Sequence, residues 1–374
     1  MIKSNPNKIF SISGFSFIIK IHDGNIATIN MNNALKIYSG KKPFNCLNGG
    51  LNISKGTEIY NLKEIFIFDD INHKDTNNQN TKIYLILFEK NILIYSFQNM
   101  YKKHFLLQKI KTDIYIEILN QLNDKNIIFF NKENNLKIMQ YKKENKNIFN
   151  NTIYSLQKVN KNKQSFILSF LEFNKNHIVT TSTSRHPSGE NIIRLYEIQF
   201  NYNNSKLINY KNFDGYSCAI FENNICKLEK QKTICIAINF YIKKNIVFNN
   251  SAIVLLNYEY LEITTILEID FQINSIFNFS FFSGDKDCRK IYEYILLSQI
   301  KADNINDKKN KKGKDSFRFI DFYVFEPKNE YEPILIENKR ITTNNSIDIT
   351  NSFFLNKKYL VIFQTPHISI YEIF

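Results

Sequence analysis

The sequence predicts an all-β protein in which one short unit recurs seven times and closes on itself. Three observations carry this expectation. The chain of 374 residues is rich in Ile, Phe (33) and Tyr (21) and poor in Gly (10). Such β-branched and aromatic residues suit a pleated, half-buried surface. Short runs with apolar residues at alternate positions recur from one end to the other. The last of them, His367–Phe374, ends the chain as an unpaired strand and so requires a partner from elsewhere in the sequence.

The repeat is clearest in seven segments of the order apolar, any, apolar, then usually a large side chain. They are Leu35–Tyr38, Ile92–Tyr95, Leu136–Met139, Ile193–Tyr196, Ile253–Leu256, Ile320–Tyr323 and Ile368–Tyr371. They recur roughly every 45 to 65 residues, the spacing of a four-stranded propeller blade with loops of varying length. Two further apolar runs precede each segment. These are Phe15–Ile19 and Ile26–Ile29, with His22–Asn25 as the turn between them; Glu64–Phe68 and Ile83–Phe88; and Ile114–Ile118 and Ile127–Phe130. Next come Phe166–Phe170 and His177–Thr181, then Cys218–Phe221 and Ile234–Ile238. The last pairs are Ile276–Phe279 and Ile291–Leu297, then Ile347–Ile349 and Tyr359–Phe363. Runs this apolar suit inner strands covered on both faces. Outer fourth strands are fainter, and Phe105–Ile110 is the clearest of them.

The expected architecture is one seven-bladed β-propeller domain spanning residues 1–374. Its blades cover 13–60, 61–111, 112–160, 161–211, 212–270, 271–340, and 341–374 together with 8–12. The seventh unit has three strands of its own. Lys8–Ile12 has strand composition and no local partner, so pairing it with His367–Phe374 would close the ring and remove the open edge.

The third-strand segments resemble the closing signature of the WD-repeat β-propeller superfamily. Ile192–Glu197 is the nearest copy, with Tyr196 where that family usually has Trp. The resemblance is architectural and covers essentially the whole chain. The Gly-His pair and buried Asp of well-formed repeats are missing, so no side-chain network transfers to any residue here, and no subfamily is indicated.

Net charge is +14 and the isoelectric point about 9.2. Such a balance raises nucleic acid or an anionic membrane as partner. Arg, however, is confined to Arg185, Arg194, Arg289, Arg318 and Arg340. Its planar fork is what phosphate recognition favours, so a Lys excess scattered among Asn also fits AT-rich codon usage. The five cysteines, Cys46, Cys218, Cys226, Cys235 and Cys288, form no C-x-x-C pair, and the six histidines have no metal-ligand spacing. Phosphate-loop, dinucleotide and G-x-S-x-G patterns are missing. The expectation is a non-enzyme without cofactor or metal. No apolar run approaches the about 18 residues needed to cross a bilayer and no signal peptide opens the chain, so a soluble cytoplasmic or nuclear protein is expected.

Two insertions fall between the second and third strands of their units, which places them on one face of a propeller. One spans 182–191 and contains Arg185 and His186. The other, 301–315, reads as a disordered Lys-rich loop with Lys308, Lys309, Lys311, Lys312 and Lys314. These seven residues are the candidate contacts for an anion or a partner, against the plainer reading of solvated loops. The sequence thus points first to a scaffold holding other protein subunits in a complex. The alternative is an RNA-associated propeller, such as the non-catalytic subunit of a tRNA-modifying enzyme or a ribosome-assembly factor. A phosphoinositide-binding propeller ranks lower, because no two Arg are adjacent; membrane and small-molecule partners are not indicated.

Overall fold

The structure is a computed structural model. It describes residues 7–53, 59–67, 82–98, 101–112, 115–131, 135–142, 148–158, 165–175, 177–184, 191–199, 206–216, 225–228, 232–239, 251–257, 259, 262–269, 275–282, 291–302, 318–328, 332–343, 351–355 and 359–372. Every regular element among them is a strand.

Strand β1 (Asn7–Ser13) precedes six sheets formed in chain order, each an antiparallel meander. Sheet 1 holds β2 (Phe15–Lys20), β3 (Ile26–Asn30), β4 (Ala34–Tyr38) and β5 (Leu51–Asn52). Sheet 2 holds β6 (Ile59–Ile65), β7 (Ile83–Glu89), β8 (Asn91–Gln98) and β9 (Lys103–Lys111). Sheet 3 holds β10 (Ile116–Gln121), β11 (Ile127–Asn131), β12 (Asn135–Tyr141) and β13 (Phe149–Lys158). Sheet 4 holds β14 (Ser165–Asn174), β15 (His177–Ser184), β16 (Asn191–Gln199) and β17 (Lys206–Tyr216). Sheet 5 holds β18 (Ile225–Leu228), β19 (Thr233–Asn239), β20 (Ser251–Asn257) and β21 (Glu262–Ile269). Sheet 6 holds β22 (Ser275–Phe282), β23 (Ile291–Ala302), β24 (Arg318–Lys328) and β25 (Glu332–Thr343). The last sheet combines β26 (Asn351–Leu355), β27 (Tyr359–Gln364) and β28 (His367–Glu372) with β1 as its outer strand. Asn7 pairs with Glu372 and Ser13 with His367, with one bulge near Phe10.

The two-residue period of a strand sends alternate side chains to opposite faces, and each face meets a neighbouring sheet. In β11, Ile127 and Phe129 pack against sheet 2, whereas Ile128 and Phe130 pack against sheet 4. In β7, Leu85 and Leu87 face sheet 1 while Ile86 and Phe88 face sheet 3. Apolar cores of this kind fill five junctions among the described residues: last sheet to 1, 1 to 2, 2 to 3, 3 to 4 and 4 to 5. Sheet 6 continues the series, with β22 beside β18. At about 25 cal/mol per Å² of apolar surface removed from water, these junctions dominate the stability of the frame.

Several first strands lie apart from their expected positions. The first strand of unit five is Ile225–Leu228, and that of unit seven is Asn351–Leu355. Cys218–Phe221 and Ile347–Ile349 fall outside the described residues. In both units the run nearer the second strand pairs with it, since few residues of sequence separate Leu228 from Thr233 and Leu355 from Tyr359. In unit two the first strand ends at Ile65, ahead of Phe66–Phe68. Lys301 and Ala302, assigned to the Lys-rich loop, belong to β23, because cross-strand pairing with Phe319 and Arg318 carries the strand that far. Cys235 is fully buried in β19, in keeping with its apolar surroundings in sequence.

Candidate functional site

The seven residues singled out in the sequence all lie outside the described residues: Arg185 and His186 within 185–190, and Lys308, Lys309, Lys311, Lys312 and Lys314 within 303–317. The described surface with the most chemistry is built by the turns that follow the first strands.

In sheet 1 the turn is Ile21–Asn25. The Asp23 carboxylate accepts the Asn25 backbone N–H at 2.9 Å and its side-chain amide at 3.0 Å. Ile21 N–H donates to the Asn25 carbonyl, and Gly24 N–H to that of Ile21, both at 2.9 Å. Gly24 has φ +87°, and the Asn25 side-chain oxygen accepts the Gly40 N–H at 2.9 Å. Gly40 is obligatory here: a Cβ on it would lie 1.7 Å from the Gly24 carbonyl oxygen. Sheet 3 repeats the device. Asp124 accepts from Asn126 at 3.0 and 2.7 Å, the Asn126 side-chain oxygen accepts the Tyr141 N–H at 2.8 Å, and Lys125 takes the left-handed position at φ +72°. Asp-x-Asn is the sequence signal for both turns, legible at Asp23–Asn25 and Asp124–Asn126 as an Asx turn.

One polar side chain from each following sheet clamps the junction. Glu64 in β6 accepts the backbone N–H of His22 at 2.8 Å and also bonds its Nδ1. Gln121 in β10 accepts the Phe66 N–H at 2.7 Å and donates to the Phe66 carbonyl at 2.9 Å. Glu172 in β14 accepts the Asn123 N–H at 2.6 Å. Each lies two residues after an apolar side chain that faces the same neighbour: Leu62, Leu119 and Phe170. The corresponding residues of β2 and β18 are Lys20, after Ile18, and Lys227, after Ile225. A second link runs from the Lys63 amine to the Asn120 side-chain oxygen, whose amide donates to the Phe170 carbonyl at 2.9 Å.

Over this belt lies an exposed patch. The Phe66 ring, 43 % exposed, meets the His22 ring edge-on at 5.5 Å, and the Lys125 amine lies 5.7 Å from its centre. The hydrogen bond to Glu64 raises the His22 pKa above its ordinary value; partial burial opposes this, and the charges of Glu64 and Asp23 add to it. A second exposed feature is β9 on the outer edge of sheet 2, where Phe105 and Leu106 are each 50 % exposed. Among the described residues no three His, Cys, Asp or Glu side chains gather as metal ligands, and no helix is long and apolar enough to cross a membrane.

Solved structures with this arrangement of sheets exist. The β-propeller domain of Cps50 (Swd1) from Myceliophteria thermophila matches with a TM-score of 0.56 and 9% identity, over 99% of this chain and 100% of that one. The fold is that of the WD40-like β-propellers. The Dos1 propeller matches with a TM-score of 0.51 and 12% identity over 98% of this chain and 95% of its own. Saccharomyces cerevisiae Sqt1 matches with a TM-score of 0.50 and 9% identity over 99% of each chain. Neither a protein-family profile nor a curated protein sequence matches the chain. At these identities the propeller likeness establishes the fold and leaves the subfamily open.

Proposed function

We propose that the chain is a non-catalytic interaction scaffold: one seven-bladed propeller domain, closed by β1 and β28, that holds other protein subunits in a complex. The observation that carries this reading is large apolar side chains left open to solvent on a frame with well-filled junctions. Phe66 sits on the turn face, and Phe105 with Leu106 on an outer edge, against core neighbours such as Phe88 and Phe129 that are fully buried. Exposed aromatic and aliphatic groups ringed by Lys suit a protein interface with an apolar centre and a polar rim. The propeller neighbours Cps50 (Swd1), Dos1 and Sqt1 lend the fold-level analogy.

The net charge of +14 favours a second reading, an RNA-associated propeller subunit. The phosphate backbone would then supply most of the affinity and make it fall steeply with salt. One experiment separates the two. The tagged protein is isolated from a native extract, with and without ribonuclease, and fractionated by size. Discrete protein partners that survive ribonuclease support the scaffold; their loss on ribonuclease treatment, or a chain that runs alone, overturns it. RNA bound directly by the purified chain, with an affinity that drops as salt rises, would establish the second reading.

A further inference from the structure

The outer strands of a propeller each leave one backbone edge unpaired, and β9 places lysines and two exposed apolar residues along its own. In sheet 2 the strand order is β6-β7-β8-β9, so β9 has β8 on one side and an open edge on the other. Thr112 N–H donates to the Lys90 carbonyl at 3.0 Å, and Lys111 stands opposite Asn91, Lys109 opposite Leu93. Antiparallel bonding alternates, so the backbone groups of Lys109 and Lys111 point away from β8, towards the open edge. A bulge opposite Tyr95 interrupts the two-residue period, and Phe105 and Leu106, consecutive in sequence, are both half exposed. The inner half of the strand is anchored: Ile110 packs between sheets 2 and 3, and Gln108 exchanges two hydrogen bonds with the Phe149 backbone at 2.8 and 3.0 Å.

Charge selects the occupant. From Tyr101 to Thr112 the chain carries Lys102, Lys103, His104, Lys109 and Lys111 and contains no Asp or Glu. A second copy of the same edge would set lysine against lysine, which disfavours self-pairing. We propose that β9 is a docking edge for an extended acidic segment of a partner protein, which adds to sheet 2 as a fifth strand. Its backbone pairs with the open groups at Lys109 and Lys111, its carboxylates meet the flanking lysines, and its apolar residues cover Phe105 and Leu106. An apolar pair containing Leu, beside an open backbone edge, fits a peptide better than it fits stacked bases. The proposal rests on the scaffold reading and names the kind of partner.

The test uses the full chain and a short fluorescein-labelled peptide alternating glutamate with valine, followed by anisotropy. The expected result is saturable binding, weakened about tenfold or more by the joint changes Lys103→Glu and Lys109→Glu, since charges at an interface steer and select partners. Phe105→Ser with Leu106→Ser should weaken it comparably. Methylating alternate backbone nitrogens of the peptide should abolish it, because strand addition needs those N–H groups. Melting curves verify folding, and Lys103→Gln with Lys109→Gln replaces the reversal if that variant melts early. Equal binding of the N-methylated peptide, indifference to both sets of substitutions, absence of binding, or displacement by an oligouridylate that binds more tightly would each overturn the proposal. If native partners are still captured and the β9 variants leave them in place, this edge is wrong and the scaffold stands. If no partner is captured, the scaffold itself fails.

Discussion

Strands β1 and β9 occupy the same place, each the outermost of its sheet, and the chain treats them oppositely. Both carry a mixture of Lys and large apolar residues. In β1 the apolar groups are partly covered: Ile9, Phe10 and Ile12 pack on the core between the last sheet and sheet 1. The Phe10 ring lies 5.3 Å from Phe44, which reaches over from the β4–β5 connection and meets Tyr359 at 5.7 Å. In β9 only Gln108 and Ile110 are buried, and Phe105 and Leu106 stay open. An apolar residue in an outer strand is therefore not by itself a core residue. What reaches across from the neighbouring sheet decides whether it is covered or stays open to solvent.

The largest expected effect follows from that contrast. Deleting residues 1–12 removes the partner of β28 and uncovers the core around Ile368 and Ile370. The loss should amount to ~3 kcal/mol or more, a fall in melting temperature of roughly 5 °C or greater by calorimetry. An unchanged melting temperature would break the comparison, because β1 would then be as peripheral as β9. Next in size is Gln108→Ala, which takes away the polar tie between β9 and β13 and leaves the Phe149 N–H and carbonyl unpaired. Urea unfolding should show a cost of about 2 kcal/mol. A loss near zero would mean that β9 is held by Ile110 and its ladder with β8 alone.

The smallest effect concerns the inner clamps, where two junctions differ by one residue. Glu64 meets His22 between sheets 1 and 2, and Glu172 meets Asn123 between sheets 3 and 4. Only the first can titrate near neutral pH. Because the folded state raises the His22 pKa, its contribution is full below the unfolded value of about 6.5 and is lost as pH rises through the folded value. His22 is 41 % exposed, so the effect should stay below ~1 kcal/mol. His22→Asn, which copies the other junction, should flatten the pH dependence of the melting temperature between pH 6 and pH 8. An identical pH profile for that variant would show that the clamp works through the backbone N–H alone.

Much of the fold is legible in the amino-acid pattern. The period-two runs identify second and third strands in every unit; where their side chains are described, as in β7, β8, β11 and β12, both faces are covered and must be apolar. Outer strands such as β17, with the sequence KLINYKNFDGY, have no such requirement and leave a weaker trace. First strands are misread where two short apolar runs compete, as at Ile225–Leu228 and Asn351–Leu355, since only the turn to the next strand chooses between them. The clamp residues are not legible as a set. Glu64, Gln121 and Glu172 mix charged and neutral side chains, and the corresponding positions of β2 and β18 hold Lys20 and Lys227; what all five share is a position two residues past an apolar residue facing the preceding sheet.

The sequence by itself determined the all-β repeat, the positions of the buried middle strands and the turn at His22–Asn25. Each follows from local periodicity or from a side chain bonding to its own neighbours. Tertiary structure decided what lies between repeats: which polar residue clamps which turn, that Phe44 covers β1, and that Phe105 and Leu106 stay open. Those outcomes depend on contacts between residues distant in sequence, where a phenylalanine looks the same whether or not another sheet arrives to bury it.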